Sequence, residues 1–444
     1  MTRPGGDGRI SRLQRWLRPG MGVKRWLLLM FVGLTILATA GALFIRILFR
    51  EVPADSLAGR LFELVSLNFL PDPLRPIVVI AIGVVVFLYA LWRLLNALLE
   101  PFPARREPLV ELVYQKRSLA RGPRIVAIGG GTGQSTLLRG LKEISSNITA
   151  VVTVADDGGS SGKLREELGV PPVGDIRNCI AALADAEPDM NRLMQYRFPT
   201  SESDPGVAGH ALGNLLIAAM ADITGDFEEG VRAANHVLAV RGQVVPVAGE
   251  ALNLNAELAD GTVIEGQSRI ARSRGIRRVW PSPASVAANR EAVEAIREAD
   301  LIVLGPGSLY TSLLPGLLVP GIRSALEDAR GICVYVANVA TQLGETEGYT
   351  LSEHVAALAA HDVGHLIDVV LANDDTTARV PSGYPAEPVR IDLPQTDARP
   401  RLELAAVVDP TNAHRHDPQR LTQALVRLVD EQPAARPVAP VRSA

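Results

Sequence analysis

Residues 124–185 read RIVAIGGGTGQSTLLRGLKEISSNITAVVTVADDGGSSGKLREELGVPPVGDIRNCIAALAD. Three glycine-rich corners follow one another here, each set after a strand-like run or before a helix-like one. Residues 125–128 are apolar and rich in β-branched side chains, which predicts a buried strand. Gly129, Gly130, Gly131, Thr132 and Gly133 come next, and then Leu137, Leu138, Leu141 and Ile144 recur at helical spacing. A strand, a glycine turn and a helix start make an anion site, because free N–H groups point out of the helix and glycine lets a phosphate close to the backbone. The loop matches neither common phosphate fingerprint. A Walker loop has Gly-Lys-Ser/Thr where this chain has Gly133-Gln134-Ser135, and a dinucleotide loop has glycine where Thr136 stands. Taken alone, GGGTG reads equally as a tight turn.

The later corners add weight. Residues 148–155 form a second apolar run that ends in Asp156-Asp157-Gly158-Gly159-Ser160-Ser161-Gly162. In a parallel α/β sheet ligands sit beyond the C-terminal ends of the strands, so Asp156, Asp157, Ser160 and Ser161 could hold a metal, a ribose or a base edge. They could also cap the helix expected over 163–168. In the third corner Asp175 suits a helix cap, and Arg177 and Asn178 suit either a phosphate and a base or a helix surface. A strand over 300–304 leads to Gly305-Pro306-Gly307-Ser308-Leu309-Tyr310-Thr311-Ser312, where Gly307, Ser308, Thr311 and Ser312 suit a phosphate or diphosphate. A further strand over 332–336 leads to Asn338 and the loop 341–346, after which Tyr349 either stacks on a base or anchors the loop. His210 and Asn214 begin a helix on which Leu212, Leu215, Leu216, Ala219 and Ile223 share a face. The alternation of strand and helix predicts an α/β fold, a Rossmann-like, doubly wound, mostly parallel sheet.

The series IGGGTG, TVADDGGSSGKLR, GDIRN, GHALGNLL, ITGDFEEG, GPGSLYTSLLP and NVATQLGETEGYT resembles the gluconeogenesis factor (YvcK-like) family, a branch of the CofD-like superfamily, in order from about residue 124 to 374. The resemblance implies a regulator that binds uridine diphosphate sugars, notably UDP-N-acetylglucosamine, and influences carbon partition, cell-wall precursor supply and cell shape. It raises His210 and Asn214 to pocket residues beside Gly130, Gly131, Gly133 and the other corner residues. The related CofD enzymes imply a second reading, a magnesium-dependent transferase that moves a 2-phospholactyl group from a guanosine diphosphate ester to a deazaflavin, with Mg²⁺ at Asp156 or Asp157. Whether any reaction is turned over stays open, and the regulator reading needs no cofactor.

The chain outside this stretch sets the context. At 444 residues with a net charge of −3, it is too evenly charged to argue for nucleic acid. Residues 1–25 carry Arg3, Arg9, Arg12, Arg15, Arg18, Lys24 and Arg25 against Asp7. Residues 26–49 and 76–99 are each apolar enough and long enough to span roughly 30 Å of hydrocarbon, and their basic outer flanks predict a hairpin with both ends in the cytoplasm of an inner-membrane protein. The family motifs do not cover this hairpin. Residues 100–123 read as a linker, 124–431 as the ligand-binding domain and 432–444 as a disordered tail. Residues 241–270 look like an antiparallel excursion, with a hairpin turn at Asp260-Gly261, that adds structure or a dimer contact. Cys179 and Cys333 form no disulfide framework or metal spacing, and His414 and His416 read as surface. The expected partners are a UDP-sugar, the membrane, a second copy of the chain and a regulatory protein.

Overall fold

The computed structural model describes residues 116–199, 207–375, 377–378, 386–396 and 398–431, with isolated positions between 31 and 89. The chain divides into two compact units, Met1–Arg117 and Ser118–Ala444. Most of the expected hairpin, and the expected tail, lie outside the described residues. The positions described within the two apolar runs are helical. Among the described residues no helix is long and apolar enough to cross a membrane.

The second unit is built on β1 (Ile125–Gly129), β2 (Ile148–Val152) and β3 (Gln243–Pro246), then β4 (Asn253–Leu258), β5 (Val263–Glu265) and β6 (Ile276–Ser282), then β7 (Leu301–Leu304), β8 (Ile332–Val336), β9 (Val369–Asn373) and β10 (Arg401–Ala405), and last β11 (Val408–Asp409) and β12 (Asn412–His416). Seven strands form one sheet in the order β10-β9-β8-β7-β1-β2-β3. Every neighbouring pair in it is parallel. From β1 the chain winds outward to β3, then returns and winds outward the other way from β7. This is the Rossmann order with one strand added, and its direction reverses between β1 and β7. Helices on both faces leave β1, β2, β7 and β8 buried throughout, which is why these strands read as unbroken apolar runs.

Several boundaries differ from expectation. Residues 243–246 belong to the parallel sheet as its edge strand, and the antiparallel excursion begins only at β4, pairing as β5-β4-β6. Its Asp260-Gly261 turn is present, with Gly261 at φ +84°. The Leu212–Thr224 helix buries Gly213, Asn214, Ile217, Ala218 and Ala221, while Ile223, on the face with the larger side chains, is 77% exposed. Small residues turn inward because the Phe227–Val237 helix packs so closely that a β-carbon on Gly230 would meet Ala221 Cα at 2.5 Å. The end of the expected linker is already part of the domain, since Ser145 Oγ donates to Pro123 O at 2.7 Å and Asn147 Nδ2 to Gly122 O at 2.8 Å.

Candidate functional site

The loops that leave β1 and β7 meet where the sheet reverses. Gly131 sits at φ +69°, a left-handed conformation that glycine adopts without strain. A β-carbon on Gly130 would stand 2.6 Å from Asp175 Oδ2, and one on Gly133 would stand 2.4 Å from Pro306 O. Close approach of two strand-end loops therefore explains these glycines before any ligand is invoked. Gln134 turns back beneath the loop, where its Nε2 donates to Ala127 O at 2.8 Å and Val151 O at 3.1 Å. It staples β1 to β2, and the forward reach of a Walker lysine has no counterpart.

Above these loops lies a cavity of about 530 Å³ that gathers Thr132, Gly133, Gly307, Ser308 and Asn338. Asn338 clasps Gly307 on both sides, accepting from its N–H at 3.3 Å and donating to its carbonyl at 3.0 Å. Ser308 Oγ donates to Gln342 Oε1 at 2.9 Å, which draws the loop after β8 across as a wall. The opposite wall is His414, Arg415 and His416 of β12. The expectation that both histidines are surface residues is thus corrected. His416 is buried with Nε2 3.1 Å from Ala337 O, and burial pushes its pKa down to about 4. It is therefore neutral near pH 7 and donates through Nε2. A smaller chamber of about 260 Å³ adjoins the first and shares Thr132, Thr136 and Arg415 with it. Sequence reasoning missed this whole wall, because β12 follows the glycine loop by some 280 residues and a His-Arg-His run on a short hairpin carries no periodic signal.

The fourth corner is only partly free. Glu345 is buried, and its Oε1 accepts from the N–H groups of Tyr310 and Thr311 at 2.7 and 2.8 Å and from Thr311 Oγ1 at 3.0 Å. A carboxylate of the chain itself fills the helix N-terminus at which a phosphate was expected, so Thr311 is committed. Burial pushes the Glu345 pKa up to about 7 against these hydrogen bonds. Ser312 faces Gly130 instead. Tyr349 is the anchor of its two readings. Its hydroxyl lies 3.1 Å from that of Tyr310, its ring packs edge-on against His354, and it lines neither chamber.

The second and third corners meet on the other side of the glycine loop. Ser160 Oγ accepts from Asn214 Nδ2 at 3.0 Å and Ala211 N at 3.3 Å, so its own proton points at His210 Nδ1, 3.1 Å away. Arg177 donates to Asn214 Oδ1 and Asn178 Oδ1, each at 3.0 Å, while its buried Nε has no hydrogen-bond partner. Burial, and then the charge of Asp156, push the Asp175 pKa up to about 6. Asp156 is also raised, chiefly by burial. Asp157 commits one oxygen elsewhere, its Oδ1 accepting from Ser268 N at 2.8 Å at the start of the Gln267–Ile270 turn. Among the described residues no three His, Cys, Asp or Glu side chains are placed to hold a metal. Magnesium needs only one or two carboxylates besides phosphate oxygens, and Asp156 is near enough to both Asp157 and Asp175 for their charges to interact.

A family model described as 2-phospho-L-lactate transferase CofD matches residues 125–409, from β1 to β11. The chain belongs to the CofD family, in its gluconeogenesis-factor branch. The gluconeogenesis factor of Bacillus subtilis is 46% identical over 321 residues, covering 70% of this chain and 100% of that protein. That of Halalkalibacterium halodurans is 45% identical over 309 residues, covering 68% of this chain and 95% of its own length. A crystal structure of a Bacillus halodurans protein superposes with a TM-score of 0.64 at 44% identity, covering 69% of this chain and all of the other. A Nostoc relative is 43% identical over 437 residues, covering 94% of this chain and 93% of its own length. That match runs well into the residues before Ser118, so this CofD-family chain shares its N-terminal segment with at least one relative.

Proposed function

We propose that the protein is a regulator that binds a nucleoside diphosphate sugar, UDP-N-acetylglucosamine, in the cleft above β1 and β7 and acts through protein partners on carbon partition, cell-wall precursor supply and cell shape. The observation that carries this reading is the cleft itself. Two glycine loops at the reversal point of a parallel sheet present backbone N–H groups and hydroxyls, and Arg415 stands between two chambers where a diphosphate would bridge them. The N-terminal segment anchors the protein in the inner membrane by its two apolar runs. Phe31 and Leu34 in the first and Val84, Val85, Leu88 and Tyr89 in the second are exposed, which suits a lipid surface.

The Asp156–Asp175 pair favours a second reading, a transferase. In it these carboxylates would hold a magnesium ion that neutralises phosphate charge, while Arg177, whose Nε has no partner, holds the group in place. Calorimetry with the full-length protein separates the cases. The regulator binds UDP-N-acetylglucosamine, and Arg415→Ala weakens binding at least tenfold, or about 1.4 kcal/mol. An Arg415→Ala variant with unchanged affinity removes this cleft from the site. Turnover of a 2-phospholactyl donor with a deazaflavin overturns the regulator reading as the sole function.

A further inference from the structure

The smaller chamber has a hydrogen-bonding pattern that can be worked out atom by atom. Asn178 Oδ1 lies 3.0 Å from Arg177 Nη2 and 2.7 Å from Gln195 Nε2. A guanidinium cannot accept, so the Asn178 atom facing it must be the oxygen. Both lone pairs of that oxygen are then used, and the two N–H bonds of Asn178 Nδ2 are left over. Gln195 donates one Nε2 proton to the same oxygen, which leaves its second N–H to donate and its Oε1 to accept. Ser135 Oγ and Thr136 Oγ1 each donate their one proton to Thr132 O, at 3.0 and 2.9 Å. They too can only accept from anything in the chamber. Arg139 pairs through Nε with Glu187, which also pairs with Lys142, so Arg139 brings its two Nη groups to the chamber as donors. The wall thus interleaves donors, Asn178 Nδ2, the second Gln195 N–H, Arg139 and Arg415, with acceptors, Gln195 Oε1, Ser135 Oγ and Thr136 Oγ1. Asn191, which supplies both kinds, completes it.

A phosphate only accepts hydrogen bonds, so it would satisfy the donors here and leave the three acceptors without a partner. A nucleobase wants an apolar or aromatic face, and no aromatic residue lines this chamber. A hydroxyl both donates and accepts, as does a secondary amide, and such groups satisfy an alternating wall. We propose that this chamber is the sugar-reading subsite, which takes a neutral polyhydroxylated group, with Asn178, Asn191 and Gln195 setting the specificity. The nucleoside end then occupies the larger cavity, whose wall includes Pro306, Val339, Ala340 and Leu343. The diphosphate crosses between them at Thr132 and Arg415. This inference rests on the nucleotide-sugar reading above.

The test compares two probes, UDP and UDP-N-acetylglucosamine, by calorimetry on the full-length protein and on Gln195→Met and Asn191→Leu. Both substitutions are at partly or fully exposed positions of the Glu187–Gln195 helix, and circular dichroism checks that each variant is folded. The wild type is expected to bind the sugar nucleotide more tightly than UDP. Each variant should lose at least tenfold in affinity for the sugar nucleotide while binding UDP as the wild type does. Equal losses for both probes would place these residues at the nucleotide end, and no loss for either would make the chamber a bystander; either result overturns the inference while leaving the nucleotide site standing. A wild type that binds neither probe overturns the ligand reading, and this inference with it.

Discussion

Glu345 shows how a single residue can decide what a motif means. From GPGSLYTSLLP alone, Ser308, Thr311 and Ser312 offer one phosphate cradle, and nothing local reveals that a carboxylate 34 residues later takes the N–H groups of Tyr310 and Thr311. Its folded pKa, about 7, lies above the ordinary 4.5. The folded state therefore holds the proton longer than the unfolded chain. Stability from this group is greatest below pH 4.5 and is lost as pH rises to about 7. Asp175 acts in the same direction, but its window closes near pH 6. Glu345→Gln should therefore flatten the fall of melting temperature between pH 4.5 and 7, leaving only the part below about pH 6 that Asp175 contributes. An unchanged slope above pH 6 would show that Glu345 is ionised without penalty. The two aspartates of TVADDGG separate in the same way. In the transferase reading, Mg²⁺ should raise the melting temperature of the nucleotide-bound protein, more at pH 7.5 than at pH 5, because protons compete for Asp175. Asp175→Asn should abolish that gain, whereas Asp157→Asn should keep it at little cost in stability, because an amide oxygen still accepts from Ser268 N–H. A gain that survives in Asp175→Asn would move the metal elsewhere.

Among the elements, the glycine loop and its partner after β7 form a joint that tolerates no added bulk. The Gly133 α-carbon faces the Pro306 carbonyl, which is backbone and cannot swing aside. Gly133→Ala should destabilise the protein by about 1–3 kcal/mol, measured by urea unfolding; an alanine variant as stable as the wild type would mean that the two loops part easily. The central strands were legible in the sequence because burial on both faces leaves an unbroken apolar run. β10 was not, because Arg401 and Glu403 of its RLELA segment are only partly buried at the sheet edge. The motifs divide as well. In ITGDFEEG, Gly225 ends one helix at φ +71° and Asp226 caps the next by accepting from Glu229 N at 2.9 Å. GETEGYT supplies Glu345, the Tyr349 anchor and the Thr350–Glu353 capping box. A recurrent motif can thus mark a joint in the scaffold as readily as a binding group, and sequence order alone does not say which.

At the scale of the whole molecule, the strand order was predictable as a class, and the reversal between β1 and β7 brings the first and fourth corners together. The remaining wall depends on how far the chain travels before it returns, which no local pattern records. The proposed membrane hairpin makes its own prediction. A cysteine placed at Ser56 should react with an impermeant label on intact cells, and one at Ser118 should react only after lysis; labelling at Ser118 in intact cells would reverse the topology. The Pro418–Asp430 helix closes the domain against its first helix, where a β-carbon on Gly140 would lie 2.1 Å from Pro418 O. Thr132 and Arg415 therefore come from opposite ends of the folded domain yet border the same cavity. During synthesis the cavity has no second wall until the last hairpin has left the ribosome. Under the proposed function, ligand binding is thus a check on completeness, one that a chain truncated before β12 should fail even with every glycine corner in place.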